Sequence, residues 1–325
     1  MSFPVTRMLR IRQSSLVRTI LSETTLKKSD LIYPIFINEA LEEKRAIEKM
    51  VGIYQHSLNS LLAEAERIAL LGIKSVILFG IPQQKDNLAT YAYSTQGIVQ
   101  QSIRLIKEKV PDLLVIADCC LCEYTSHGHC GIMHDEKLDN DETLLTLQKI
   151  ALSYAESGVD IIAPSGMMDG KVQAIRTILD RHSFGMVPIM SYSVKYASQF
   201  YGPFREAAGS ADNFKGDRKH HQLAPTQKRE ALREALLDVE EGADFLMVKP
   251  SLPYLDIIHL LKEKTLLPLV AYHTSGEYAM IKSAAQQGLI SNELEAFREQ
   301  LVGIKRAGAD LIITYYADEI AKHLD

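Results

Sequence analysis

Residues 306–316 read RAGADLIITYY, a helix end, a glycine and then an apolar β-branched run. The same phrase recurs as LLGIKSVILFG at 70–80, ESGVDIIAPS at 156–165 and EGADFLMVKP at 241–250. Gly72, Gly158, Gly242 and Gly308 suit the C-terminal cap of a helix, where the backbone turns left-handed. Working outward from these phrases, eight short apolar runs read as strands: Leu31–Phe36, Ser75–Phe79, Leu113–Cys119, Asp160–Pro164, Val187–Tyr192, Phe245–Val248, Leu267–Ala271 and Leu311–Tyr315. Most are continuous rather than alternating, as expected of strands buried on both faces. Between them lie helical patterns such as Ser60–Leu71, Tyr93–Lys109, Asp141–Ser157, Lys171–Leu179, Gln227–Glu240 and Tyr254–Lys264. Eight βα units without a glycine-rich phosphate loop after the first strand predict an α/β chain folded as a (β/α)8 TIM barrel, not a doubly wound sheet. The barrel is expected over residues 30–325 as one catalytic domain. Residues 1–29 precede the first strand and read as an extended N-terminal arm that packs against a neighbouring subunit.

The chain has 325 residues and a net charge of −5, with 46% hydrophobic and 24% charged residues. That balance excludes fibrous, disordered and supercharged classes and argues against nucleic acid as a partner. No run reaches the roughly 18 apolar residues of a membrane helix. Met1–Ser15 carries Arg7, Arg10 and Arg12 and lacks an apolar signal core, so no membrane association and a cytoplasmic location are expected. All four cysteines fall between 119 and 130, which suggests metal or redox chemistry rather than a disulfide framework.

In a barrel of this kind the carboxyl ends of the strands form the reactive face. Asp118, Ser165, Lys195, Lys249, Tyr272, Ser275 and Tyr315 all fall at or just past such ends. Lys195 and Lys249 each close an apolar run on consecutive strands. Strands lie about 4.8 Å apart, so burial and mutual repulsion are expected to lower an amine pKa towards neutrality, and a neutral amine forms imines with ketones. The loop DCCLCEYTSHGHCG at 118–131 spaces Cys120, Cys122 and Cys130 as C-x-C-x7-C, with Cys119 on the opposite side as packing. Three soft thiolates favour Zn2+ over Mg2+ and leave one position for water or substrate, unless a histidine closes a structural site. Residues 196–222 form a long polar lid in which Arg205, Lys215, Arg218 and Lys219 suit an anionic substrate. The residues alone therefore describe a barrel enzyme making one or two imines with a keto acid beside a thiolate-bound zinc. Two other readings remain: a class I Schiff-base aldolase, needing one lysine and no metal, and a non-enzymatic zinc- or redox-sensing barrel.

The stretches DCCLCEYTSHGHCG, SYSVKYASQFYGPFREAAGS, KGDR, GADFLMVKPSLPYLDII, SGEYAMIK and IKRAGADLIITYY together resemble the 5-aminolevulinate dehydratase (porphobilinogen synthase) family in its zinc-dependent branch. The resemblance implies a lyase that condenses two 5-aminolevulinate molecules to porphobilinogen, with loss of two waters, in tetrapyrrole and heme biosynthesis. It implies that Lys249 holds the propionate-side substrate and Lys195 the acetate-side one as Schiff bases. Arg205, Arg218 and Gln222 match residues that bind the acetate-side carboxylate, and Ser275 and Tyr315 those that bind the propionate-side one. Tyr272 stands beside the Schiff base, while Asp118 and Ser165 line the site. Cys120, Cys122 and Cys130 match ligands of a catalytic Zn2+. Glu234 stands where some members hold an allosteric Mg2+, and His129 and His220 where some hold a second Zn2+. The resemblance further implies a homo-octamer embraced by the arms. Val51 replaces a family proline and Gln55 an arginine, at positions outside the site so drawn.

Overall fold

The computed structural model describes residues 2–135, 137–209 and 218–325. Lys215 and Gly216 of the anticipated lid lie outside the described residues. Eight parallel strands form the barrel: β1 (Leu31–Asn38), β2 (Ser75–Ile81), β3 (Leu114–Cys119), β4 (Ile161–Pro164), β5 (Met190–Lys195), β6 (Phe245–Lys249), β7 (Leu269–His273) and β8 (Leu311–Thr314). They pair in the order β4-β3-β2-β1-β8-β7-β6-β5. The ring closes where Ile162 bridges Ile189 and donates its N–H to the Pro188 carbonyl at 3.1 Å. Every residue of β1 is buried, as are those of β2, which explains the unbroken apolar runs: helices cover the outside and side chains fill the inside.

Around the ring run α1 (Leu58–Leu70), α2 (Ile98–Lys109), α3 (Asn140–Glu156), α4 (Lys171–Arg181), α5 (Arg229–Glu240), α6 (Leu255–Lys264), α7 (Ser275–Gln286), α8 (Glu293–Ala307) and α9 (Ala317–Ala321). Ser57 caps α1 by accepting from the Ser60 N–H, and Asp139 caps α3 by accepting from Glu142. The four phrase glycines all have positive φ, from +87° at Gly72 to +122° at Gly308. At Gly308 a Cβ would also stand 2.7 Å from the Lys262 side chain, so the left-handed turn and the close approach both require glycine.

The anticipated elements shift most in two places, while the strand expected from Leu267 and the helix expected from Gln227 each start two residues later, at Leu269 and Arg229. The helix expected from Tyr93 begins at Ile98, because Thr90–Tyr93 forms a separate 3-10 turn and Gly97 is the N-cap. The strand expected over Val187–Tyr192 runs Met190–Lys195 instead. Pro188 has no N–H to give a ladder, and an irregularity opposite Leu246–Val248 inserts an extra residue into β5. In the arm, Ser15–Ile20 is helical, and Phe3, Leu16 and Ile20 are 73%, 76% and 80% exposed on the single chain.

Candidate active site

The site is assembled on the strand ends. Lys195 and Lys249 face each other in register across β5 and β6, and both are buried. The Lys249 amine lies 3.9 Å from the centre of the Tyr272 ring and 4.8 Å from that of Phe204. Both amines also approach the Tyr192 ring, at 5.2 Å for Lys249 and 5.7 Å for Lys195. Burial, and then the Lys195 charge, push the Lys249 amine down to about 7, as the sequence leads one to expect. Lys195 departs from that expectation. Burial works downward there too, but the sulfurs of Cys130, Cys120 and Cys122 and the Asp118 carboxylate outweigh it, so its amine sits above the ordinary lysine value. It donates to the Ser165 carbonyl at 2.7 Å.

Asp118, at the end of β3, accepts from the Ser165 hydroxyl at 2.9 Å. Burial and then Glu123 raise its carboxyl to about 7, against the opposing pull of the two lysines. A carboxyl and an amine that both change protonation near neutrality therefore stand in one closed site, the condition for passing protons during imine chemistry. Across the barrel the Tyr272 and Tyr315 hydroxyls hydrogen-bond at 2.9 Å.

The sulfurs of Cys120, Cys122 and Cys130 all lie within 4.8 Å of one another, with Cys120 and Cys122 3.3 Å apart, and all three side chains are buried. Hydrogen bonds from Cys120 and Cys122 hold the Cys130 thiol well below its usual range, helped by Arg218 and Lys195. A sulfur trio of that size fits metal–sulfur bonds of about 2.3 Å, and the soft donor set fits Zn2+. Cys119 is buried apart, near the Leu147 carbonyl, as packing.

Over the site lies the short helix Gly202–Ala207 with Arg205 and Phe204. The turn Gln199–Tyr201 that leads into it seats closely: a Cβ at Gly276 would stand 2.6 Å from the Phe200 carbonyl, so only glycine allows α7 this near. Ser275 is engaged by the same segment, accepting from the Phe204 N–H at 3.0 Å and donating to the Phe200 carbonyl at 3.3 Å. Arg205 is half-buried, and burial followed by repulsion from Arg218 lowers its pKa, so two guanidiniums converge here. Arg218 donates to the Gly128 carbonyl at 2.9 Å, tying the segment to the cysteine loop. Gln222 is buried nearby, its carbonyl oxygen lacking a hydrogen-bond partner among the described residues. The cavity between Lys195, Lys249, Asp118 and Arg218 is only about 20 Å³, room for about one water. At that volume the cavity as it stands does not hold a molecule the size of a substrate.

Glu234, His129 and His220 are not brought into this cavity. Glu234 and His220 line a neighbouring one of about 300 Å³, together with Asp169 and Glu230. His129 and His220 have ring centres 6.0 Å apart. Sequence reasoning missed three residues of the site. Glu123, buried with its carboxylate 3.1 Å from the Cys122 sulfur, was legible in the cysteine loop itself. Phe204 sits within the quoted GPFREAA stretch. Tyr192 had no readable signal, since the irregularity in β5 breaks the alternation counted back from Lys195.

Residues 5–323 match the family described as Delta-aminolevulinic acid dehydratase. The chain is 52% identical over 324 residues to the Delta-aminolevulinic acid dehydratase of Methanothermus sociabilis, covering 100% of both chains. To that of Bacillus subtilis (strain 168) it is 54% identical, covering 100% of this chain and 99% of the other. Its fold superposes with a TM-score of 0.95 on the delta-aminolevulinic acid dehydratase of Toxoplasma gondii ME49, solved in complex with the reaction product porphobilinogen. That pair is 44% identical, covering 98% of this chain and 91% of the other.

Proposed function

The chain belongs to the delta-aminolevulinic acid dehydratase family, and from that premise we propose how its residues carry out porphobilinogen synthesis. The activity is that of a lyase: two 5-aminolevulinate molecules are joined to porphobilinogen, a step of tetrapyrrole biosynthesis. The observation that carries the residue assignment is the register pairing of Lys195 with Lys249, the latter with its amine lowered to about 7.

Each substrate offers a ketone, an amine and a carboxylate. We assign the propionate-side ketone to Lys249: the neutral amine adds to the carbonyl carbon, the oxygen takes up protons and leaves as water, and a C=N bond remains. Lys195 takes the acetate-side ketone in the same way. Because the Lys195 amine stands above its ordinary value, it needs a proton acceptor, or a change in the charge of the neighbouring sulfurs, before it can add. Asp118 is suited to exchanging protons with either nitrogen, and Ser165 orients it. Arg205, Arg218 and Gln222 would bind the acetate-side carboxylate, and Ser275 and Tyr315 the propionate-side one, with Tyr272 packed against the first imine. Support for the former is the convergence of two guanidiniums beside a buried amide. Binding the latter requires Ser275 to exchange its present bonds to the covering segment.

Cys120, Cys122 and Cys130 would hold Zn2+, which supplies Lewis acidity towards a substrate oxygen or bound water. Mg2+ at Glu234 would activate from outside the site, a reading supported by the acidic residues of its cavity. A second Zn2+ between His129 and His220 is supported by the nearness of their rings. Domains are assigned as an arm over 1–29 and a catalytic barrel over 30–325 covered by 196–222. Arms embracing neighbouring barrels would build a homo-octamer, and a cytoplasmic setting accords with the absence, among the described residues, of any helix able to cross a membrane.

The test is a colorimetric assay of porphobilinogen from 5-aminolevulinate before and after chelation. Activity lost on chelation and restored by Zn2+ supports the cysteine site, and a further gain with Mg2+ supports Glu234. Product formed at full rate without metal would refute the zinc assignment.

A further inference from the structure

We propose that Gln55 is a positioning residue for the reaction, acting on the covering helix Gly202–Ala207 from a position 152 residues away in sequence. Gln55 lies on a short strand, Tyr54–His56, that pairs with β1 so that Gln55 stands opposite Phe36, and with Arg45 across the other edge. Its side chain is buried. The Gln55 carbonyl oxygen accepts from Asn38 at 3.0 Å and from Arg45 at 2.6 Å, and its amide nitrogen donates to the Ala207 carbonyl at 2.5 Å. Two obligate donors on one side and a carbonyl on the other leave one orientation for the amide. Asn38 is fixed in turn, because its own oxygen accepts from the Ala40 N–H at 3.0 Å and so turns its NH2 towards Gln55.

Ala207 is the last residue of the covering helix, which carries Phe204 against the Lys249 amine and Arg205 beside Arg218. Among the described residues the same end is also held by Lys49 to Glu206 at 2.6 Å and Lys85 to the Gly209 carbonyl at 2.8 Å. Both are solvent-exposed, the first an ion pair and the second a hydrogen bond that competes with water, and each contributes little. The Gln55 bond is buried, so breaking it leaves a carbonyl without its partner inside the protein. A helix thus anchored is held in one position, and a displacement of about 1 Å in a binding group is enough to weaken substrate engagement.

The inference rests on the assignment of Arg205 to a substrate carboxylate, and the experiment separates the two. Gln55→Glu keeps the shape and strengthens the Arg45 side, but turns an acceptor towards the Ala207 carbonyl. Gln55→Arg restores a donor to that carbonyl while giving up the acceptor for Asn38 and Arg45, so recovery in it isolates the donor as the part that matters. We expect Gln55→Glu to raise the half-saturating concentration of 5-aminolevulinate roughly five- to tenfold. Its melting temperature should fall by a few degrees at most, because one buried carbonyl loses its partner while the Arg45 pair strengthens, and borohydride trapping at Lys249 under saturating substrate should stay unchanged. Gln55→Arg should return the half-saturating concentration close to the wild-type value. An unchanged value in Gln55→Glu overturns the proposal, and so does an equal rise in both variants with a lowered melting temperature, which marks a purely structural role. Arg205→Ala run alongside distinguishes the premises: if it alone raises the value, Gln55 is not a positioning residue. If Arg205→Ala has no effect while Gln55→Glu does, the carboxylate assignment falls and the anchoring of the helix stands.

Discussion

Two lysines in the same register differ in protonation because of what each faces. Lys249 meets aromatic rings and the neighbouring amine, so burial and then the Lys195 charge outweigh the pull of Asp118, Cys122 and Glu123, and its pKa falls to about 7. Lys195 faces the cysteine sulfurs and keeps its proton. The neutral fraction of Lys249 therefore grows as pH rises through 7, and its imine with 5-aminolevulinate should form roughly tenfold faster at pH 8 than at pH 6 when trapped under single-turnover conditions. A flat profile over that range would contradict the lowered pKa. Lys249→Ala should abolish trapping of the first substrate and turnover together, since Lys195 is protonated at neutral pH and held to the Ser165 carbonyl; intact-mass detection of a reduced adduct at wild-type yield would remove Lys249 from its role. Cys122→Ala should lower zinc content and activity in parallel, read by elemental analysis against the chelation assay. It takes one sulfur from a set in which all three are needed to leave a single open position.

At the scale of elements, Glu277 ties together the two strand ends that follow β6 and β7. This fully buried carboxylate on α7 accepts from the Ser251 N–H and hydroxyl, the Leu252 N–H, and the Thr274 N–H and hydroxyl. Ser251 follows Lys249 by two residues and Thr274 precedes Ser275, so one side chain fixes the backbone under both. Glu277→Gln replaces an acceptor oxygen by an NH2 facing donors and should destabilise the fold by about 2–3 kcal/mol in urea unfolding, with slower trapping at Lys249. An unchanged midpoint would mean the loop is held by other contacts. Such an anchor was not legible in the sequence, because its partners Ser251 and Leu252 lie 26 and 25 residues away along the chain. The barrel itself was legible, because helix–glycine–strand phrases and unbroken apolar runs are local signals. So were the two lysines and the three cysteines, whose residue types are costly where they lie unless used. What escaped depended on long-range register: Tyr192 is aimed by an irregularity in β5, and Gln55, set aside as remote from the site, reaches the covering helix through pairing with β1.

For the whole molecule the unanswered surface is the arm. Through residue 25 it holds four arginines and one glutamate, a local charge of +3 that leaves −8 on the remainder of the chain. Its apolar side chains are exposed along its length: Val5 at 61%, Leu9 at 64% and Leu16 at 76%, among others. The chain's own apolar core takes in residues only from Leu26 onward. A segment that is apolar and basic, on a molecule otherwise acidic, is suited to the surface of a second copy, where burial removes the apolar area from water and opposite charges meet. Deleting residues 1–25 should therefore leave a folded barrel with unchanged circular dichroism, yet reduce the sedimentation mass of the assembly. The full-length assembly should also weaken in high salt, because part of the attraction is screened. If the truncated chain keeps the mass of the intact one, the arm is not what joins the copies, and the interface must lie on the barrel helices instead.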